Sequence, residues 1–506
     1  MPRTNPPTEF EVLGFRRRGF SSTLNPLLGA LAQAGRFPTV SGDTSSAFSY
    51  SWDALAADFI VDPARVTDGT GSEASPFQPS QVLMVNGSGG TAVNPNGQRV
   101  IFEWLPGNLD YTDARASNFR PPYFRPLYSG ASGQPVIHRA RYKAGSRTES
   151  SANYTSIRRI GGMGSIIGVG VPGSGLTDIY FDGFNIPTWA GSAGTSSEVF
   201  MYSVWNSNRI KGIRLRLDGE SAGAISVPSN NYGAVWHQET DDCEWADGII
   251  QNIGSASGTQ IWSAVEHYSA QGLDFHHNDI DGIRGQGIFE KGETGQQNLG
   301  NRYHHNHIRN IYGTNGALFQ YIHTTGTTLA SASWWYQNLV RDSYAFMRTN
   351  YIGTAQTGVV VANNTVARMG NWGIFFNNHT HSPLWAVRNN IWSSSVYPYY
   401  PEDGGGWSSY AAAVDIDRNR HYSNTAAMLD SGSRSLATVQ AAPYSIDVNG
   451  QESDPGFFDA ANNDFRRTYD QLGTDYLSLL GGSSSAAINQ GCYITADQSD
   501  SIGRRF

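Results

Sequence analysis

Cysteine is nearly absent from this chain: Cys243 and Cys492 are the only two in 506 residues, 249 positions apart. That spacing fits neither a zinc knuckle nor a redox pair, and it leaves no disulfide framework to hold a small core together. Charge is sparse as well. Asp, Glu, Lys and Arg make up 15% of the chain and sum to −8, an acidic balance that offers no attracting field to nucleic acid. The one basic run is Arg16-Arg17-Arg18. No apolar stretch approaches the about 20 residues of a membrane span. The Ala, Glu, Lys and Leu enrichment of helical bundles and coiled coils is missing too.

Glycine and aromatics stand in their place: 57 Gly, 25 Tyr, 23 Phe and 13 Trp, with 39% hydrophobic residues overall. Such a composition suits many short strands joined by tight turns. It also carries enough apolar mass to fill a large core rather than stay disordered. Several ordinary domains would fit in this length, but all-β solenoids also run long as single units.

A repeat decides between the two. The segments FHHNDI (275–280) and YHHNHI (303–308) align with WYQNLV (335–340), VANNTV (361–366) and VRNNIW (387–392). An aromatic or β-branched residue comes first, asparagine fourth and an apolar residue last. The aligned asparagines, Asn278, Asn306, Asn338, Asn364 and Asn390, follow one another at intervals of 28, 32, 26 and 26. Irregular strand-rich repeats of this size predict a β-solenoid, one repeat to a coil, with coils stacked at about 4.8 Å.

Stacking assigns positions. Alternation along each strand puts Phe275, Tyr303, Trp335, Val361 and Val387 in one core column, and Ile280, Ile308, Val340, Val366 and Trp392 in another. The asparagines fall at a bend, where an amide can bond to the coils on either side. The His-His pairs are then rungs of the repeat. They lack the i, i+4 spacing or cysteine partners of a zinc site, so no metal is expected at them. A further strand column reads Phe289, Leu318, Phe346 and Phe375 as core, with Lys291, Gln320, Arg348 and Asn377 as an outward polar row.

Four motifs carry a resemblance to the right-handed parallel β-helix (pectate-lyase-like) superfamily of polysaccharide lyases, glycoside hydrolases and phage tailspikes. DGTGSEASPF (68–77) is similar to the opening segment of these folds. VIFEWLPGNLDY (100–111) with SGASGQPVIHRARY (129–142) looks like the first capped coil, and FDGFNI (181–186) like a common rung. SDPGFFDAANNDFRR (453–467), SSAAINQG (484–491) and DSIGRRF (500–506) resemble the closing segment. The resemblance implies an all-β fold. A right-handed parallel β-helix would span 61–506, its closing segment running from about 395, after a short non-solenoid segment 1–60.

Chemistry varies widely within that superfamily. The nearest template the resemblance offers is a calcium-dependent lyase branch with lysine as base and arginine as stabiliser, which Lys291 and Arg348 match in type. That branch has a glutamate four residues before its lysine, where this chain has Gly287. Calcium is therefore an implication that no specific motif supports, and no other cofactor is expected.

Positions flanking the first core column point outward, placing Asp274, His276, Arg302, His304, Trp334, Tyr336 and Arg388 on one sheet face. Aromatic faces stack on sugar rings, while Arg, His and Asp bond hydroxyls and carboxylates. The competing readings are a subunit contact in a trimer, or exposed residues with no shared role. For catalysis one constellation is Lys291, Glu290, Glu293 and Arg348 with His323: a base beside a uronate carboxylate, and positive charge for the forming enediolate. The other is a carboxylate pair drawn from Asp274, Asp279, Asp281 or Glu293, as hydrolysis requires. Glu239, Asp241 and Asp242 also cluster, in a place where Asp favours turns.

Residues 16–35 resemble a twin-arginine export signal, but Ser21, Ser22, Thr23, Asn25 and Pro26 interrupt its apolar part. A retained docking segment is the expectation. A leader ahead of a β-helix resembles the layout of a phage tailspike. The resemblance implies a homotrimer on the virion tail, or otherwise outside the cell. It would contact other tail proteins through residues 1–60 and bind and depolymerise a bacterial surface polysaccharide. The alternatives are a secreted lyase acting on a uronate-containing glycan, and a non-enzymatic adhesin or structural virion protein.

Overall fold

The computed structural model describes residues 50–113, 122–141, 155–162, 165–187, 199–219, 232–254, 262–292, 298–324, 329–353, 356–376, 383–401, 407, 414–455, 457–460 and 464–467. By its contacts the chain divides into two compact units. The first holds the described residues up to 292 together with 306–321; the second holds 298–305 and those from 322 onward.

In the first unit, short strands recur in threes. Glu244–Ala246 of a first sheet leads through a two-residue bend to Ile249–Gln251 of a second, and then to Trp262–Gln271 of a third. The next coil repeats the order with Asp274–His276, Asp279–Ile283 and Gln286–Gly292. Each strand pairs in parallel with its counterpart one coil away: Trp245 with Phe275, Ile250 with Ile280, Val265 with Ile288. The second unit is wound in the same way, with Trp335, Val361 and Val387 in register, as are Val340, Val366 and Trp392. Parallel pairing of successive coils is the β-helix that the asparagine spacing and the motifs predicted.

Both expected core columns are present. Phe275, Tyr303, Trp335, Val361 and Val387 are each at most 1% exposed, as are Ile280, Ile308, Val340, Val366 and Trp392. Tyr303 and Trp335 stack face to face with centroids 3.6 Å apart.

The bends explain the recurring asparagine. In the first unit Asn278 accepts from the Gly248 N–H at 2.9 Å, and its Nδ2 donates to the Trp245 carbonyl at 3.1 Å and to Asn306 Oδ1 at 3.1 Å. In the second unit Asn338, Asn364 and Asn390 repeat this pattern, each passing its Nδ2–H to the next Oδ1 at 2.9 to 3.0 Å, the last to Asn419. Asp447, fully buried, ends that run by accepting from the Asn419 N–H at 3.0 Å. Buried turn backbone is thereby satisfied without water. The residue before each asparagine lies in the left-handed region, His277 at φ 55°, His305 at 54° and Asn363 at 57°. Short polar side chains and histidine are enriched there. The second histidine of each pair is a bend residue, which settles why the trio recurs.

The third sheet departs from expectation. Phe289 stacks on Phe319 at 5.1 Å, and Arg348, not Phe346, pairs with Phe375. The expected alignment was one residue off at Leu318 and two off at Phe375. Segments such as GIF and ALF are apolar on both faces, so they carry no alternation to fix the phase. Gln320, expected outward, is fully buried. Asn377 lies outside the described residues.

At the amino-terminal side the loop 68–77 closes back on the first coil, with Phe77 bridging Val61 and 6% exposed. Gly71 is required there: its φ is +79°, and a Cβ would sit 2.5 Å from the Phe77 ring. The strand Phe59–Val61 straddles the boundary expected at 60/61, and residues before it are already part of the unit. Tyr50, Trp52, Leu55 and Ala57 lie as a strap over the outer face of the first sheet, against Ile101, Ile137, Ile213 and Ala246. Trp52 Nε1 donates to Asp182 at 2.8 Å, and Arg139 donates to the Trp52 and Leu55 carbonyls at 2.7 and 2.8 Å. The helices among the described residues, Pro79–Val82 and Leu436–Gln440, are short, and none is long and apolar enough to cross a membrane.

Candidate functional site

On the outer face of the first sheet, the first unit shows a charged cluster beside the strap. Asp274 pairs with Glu244, which pairs with Lys211. Lys211 bonds Glu244 and lies 5.2 Å from the Tyr180 ring. His276 Nε2 is 3.4 Å from Glu244, and its Nδ1 is 2.8 Å from His277 Nδ1. Burial alone would lower His276, but the bond to Glu244 and the charges of Asp274, Glu244 and Asp247 outweigh it and raise the group to about 9. Burial would likewise raise Glu244, yet His276 and Lys211 hold it down at about 2. His276 and Asp274 are thus tied into an internal ion-pair network, beside a face the strap already covers.

In the second unit, His304 stacks on Tyr336 at 4.8 Å and 12°. Arg302 pairs with Trp334, and Arg388 with Ala362 and Asp417. Trp334 was expected to be exposed; it is 4% exposed and buried. Arg302, His304, Tyr336 and Arg388 are half-buried.

The third sheet of the first unit carries a further cluster, of which the sequence named Glu290 and Lys291. His237 and His267 turn inward, their rings 6.4 Å from Trp245 and 6.2 Å from Phe275 of the core column. Burial pushes His237 down to about 3, and His267 falls as well. Glu290 pairs with His267 and shares that inward side: it is fully buried and accepts from Gln320 Nε2 at 2.6 Å. It serves the core, not the outer face.

One residue on, the side chain turns over. Lys291 pairs with Tyr268 and carries its ammonium 4.8 Å from that ring's centroid. Both are half-buried. On the same outward side, Glu266 stands between Trp236 and Phe289 in the ladder and is 1% exposed. Trp236 stacks over Tyr268 at 6.1 Å and 14°, with Trp205 beyond it at 5.7 Å. An ammonium, a phenol and a carboxylate therefore share one face with a row of aromatic rings. Tyr268, Glu266 and Trp236 escaped the sequence reading, although AVWHQ (234–238) and AVEHY (264–268) repeat at an interval of 30 and would have revealed them.

Arg348 belongs to the second unit, with its guanidinium 5.1 Å from the Phe375 ring. His323 lies on the strand Leu318–Thr324, but its side chain is outside the described residues, as is all of Glu293. Asp279 and Asp281 are held by Arg309; burial would raise Asp279, but His307 and Arg309 outweigh it and hold the carboxyl well below the ordinary range. Asp242 sits at φ 52° in a bend, in keeping with turn duty. Cys243 is buried, which pushes its thiol up to about 12.

Calcium finds no support in the residues present. A Cβ at Gly287 would lie 2.4 Å from the Ala317 carbonyl oxygen, so the glutamate of the calcium-dependent branch has no room there. Among the described residues, no three His, Cys, Asp or Glu side chains converge to hold a metal.

No family model and no curated protein matches the chain. Among solved structures it is similar to a rhamnogalacturonan lyase, with TM-score 0.40 and 12% identity over 72% of this chain and 87% of that one. It is also similar to a pectate lyase, at 0.29 and 12% over 67% and 77%. A third likeness is to the A-module of a mannuronan C-5 epimerase from Azotobacter vinelandii, at 0.34 and 12% over 67% and 89%. At 12% identity and TM-scores of 0.29 to 0.40 these likenesses assign no chemistry to this chain.

Proposed function

We propose that the chain binds and cleaves an acidic polysaccharide on the outer face of the third sheet in the first unit. The observation that carries this reading is Lys291 seated over the Tyr268 ring on a face lined by Trp236 and Phe289. The half-buried Tyr268 ring can stack on the C–H face of a sugar, while Trp236 and Phe289, 2% and 5% exposed, form the floor beneath it. The ammonium offers a counter-charge to a uronate carboxylate and to the enediolate that forms when the adjacent carbon loses its proton. The Tyr268 phenolate, held beside the Lys291 ammonium, takes that proton, and the phenol so formed gives it to the departing glycosidic oxygen on the same side, leaving a carbon–carbon double bond and restoring the phenolate.

Incubation with a panel of uronate-containing polysaccharides tests the reading. Elimination gives an unsaturated uronate with its own ultraviolet absorbance, while hydrolysis gives new reducing ends without it. Neither signal on any polymer would leave a binding protein and refute cleavage.

The tailspike role belongs to this proposal as its finer part. A leader ahead of a solenoid suits a protein that docks by one end on a virion tail, as a homotrimer, and reads a bacterial surface glycan along its length. Sedimentation of the full chain tests it: a trimer supports the tailspike, and a monomer supports a free secreted lyase.

A further inference from the structure

We infer that the second unit carries its own carbohydrate platform, on the outer face of its third sheet, which takes a pyranose ring bearing a carboxylate. This site is separate from Lys291 and holds whether or not the first unit cleaves anything.

The strands Met347–Gly353, Trp372–Phe376 and Tyr397–Pro401 stack in register there. Their inward column, Met347, Ile374 and Tyr399, is fully buried. The outward column is Arg348, Phe375 and Tyr400. Phe375 and Tyr400 stack at 4.8 Å and 17°, and Trp372 closes on both at 4.6 and 5.7 Å. Tyr344 meets Trp372 edge-on at 5.5 Å, and its hydroxyl accepts from Asn371 at 2.9 Å.

These rings divide by exposure. Phe375, at 3%, is the floor. Trp372, Tyr400, Tyr344 and Arg348 remain half-buried and line what lies above it. Two tilted aromatic faces beside a fixed hydroxyl match the alternating C–H and O–H surfaces of a sugar ring. Charge complementarity names the sugar. Arg348 is held over Phe375 at 5.1 Å, and a planar guanidinium in that place meets a carboxylate with paired hydrogen bonds that a neutral hexose cannot return. Arg348 is in this account a binding residue, not the clamp for the reacting enediolate.

Affinity electrophoresis of the full chain is the test, in gels cast with polygalacturonate, alginate or hyaluronan and with the carboxyl-reduced form of each. At least one acidic polymer should retard the protein more than its reduced form does. Trp372→Ala should weaken retention of that polymer about tenfold, the scale of one lost stacking contact. Arg348→Gln should erase the preference for the acidic form while keeping the weaker binding to the reduced one. Tyr400→Ala, checked by thermal melting, replaces Trp372→Ala if that variant does not fold. Failure of all three acidic polymers to retard the protein would overturn the inference, and so would platform variants retained like the parent. A shift from oligomer to monomer in Trp372→Ala with retention unchanged would also overturn it, marking this face as a subunit contact.

Discussion

Glu290 and Lys291 are adjacent in sequence and stand on opposite faces of one strand. Glu290 is sealed in the core against Gln320, while Lys291 rides on the Tyr268 ring outside. A single peptide unit thus separates a structural carboxylate from a candidate catalytic ammonium, because the side-chain period of a strand is two. Treating the two as one acid–base pair would be wrong in kind, and their variants should fail differently.

Glu290→Gln keeps the shape of the core but exchanges an accepting oxygen for a donor facing Gln320. The expected outcome is a loss of stability on the order of 1–3 kcal/mol with the remaining folded protein still active. Denaturant melts alongside turnover per folded molecule check this. Full stability with abolished activity would move Glu290 into the reaction.

The asparagine run should behave as a load-sharing column. Asn364 accepts from the Asn338 N–H and Nδ2, and donates to the Trp335 carbonyl and to Asn390. Asn364→Ala strands several buried groups at once, so a cost of about 3 kcal/mol or more is expected in equilibrium unfolding. An effect within a few tenths of that for an exposed asparagine would show that water replaces the amide.

Stability should depend on pH through His276 and Glu244. His276 is raised from 6.5 to about 9, so its contribution is complete below 6.5 and is lost as pH climbs through 9. Glu244 is lowered from 4.5 to about 2, so its contribution is complete above 4.5 and is lost as pH falls through 2. The difference in melting temperature between the parent and His276→Gln should be largest between these windows, at about pH 5–6, and should shrink toward about pH 9. A difference that stays flat over that range would contradict the ion pair.

The strap should be needed for the first coils. Trp52 is 6% exposed and ties Asp182 to the apolar cluster beneath it. Trp52→Ala is expected to cost about 3–5 kcal/mol, as large aromatic deletions do. A melt unchanged by the substitution would mean that residues 50–57 only rest on the sheet.

What the sequence disclosed follows from where its signals were one-sided. The bend asparagines and the columns of Phe275 and Ile280 were legible because each short strand there has one apolar face and a fixed polar residue beside it. The third sheet was not, because Phe289 and Phe375 are outward aromatics that look like core, so Gln320 and Arg348 were placed in a row they do not share. Tyr268 and Glu266 were passed over because only the 30-residue interval between AVWHQ (234–238) and AVEHY (264–268) marks them, and that repeat contains no asparagine. The strap was missed because Tyr50 and Trp52 do not wind with the coils and so carry none of their spacing. Residues 1–49 of the leader and 468–506 of the closing segment fall outside the described residues.

The most direct measurement is turnover of a cleaved acidic polysaccharide by Tyr268→Phe, a substitution that keeps the ring beneath Lys291 and removes only its hydroxyl. With melting unchanged, activity should fall by about a hundredfold or more, as loss of a proton-transfer group does, and Lys291→Ala should fall at least as far. Parent-like turnover in Tyr268→Phe would contradict the proposal and move the reaction away from this face.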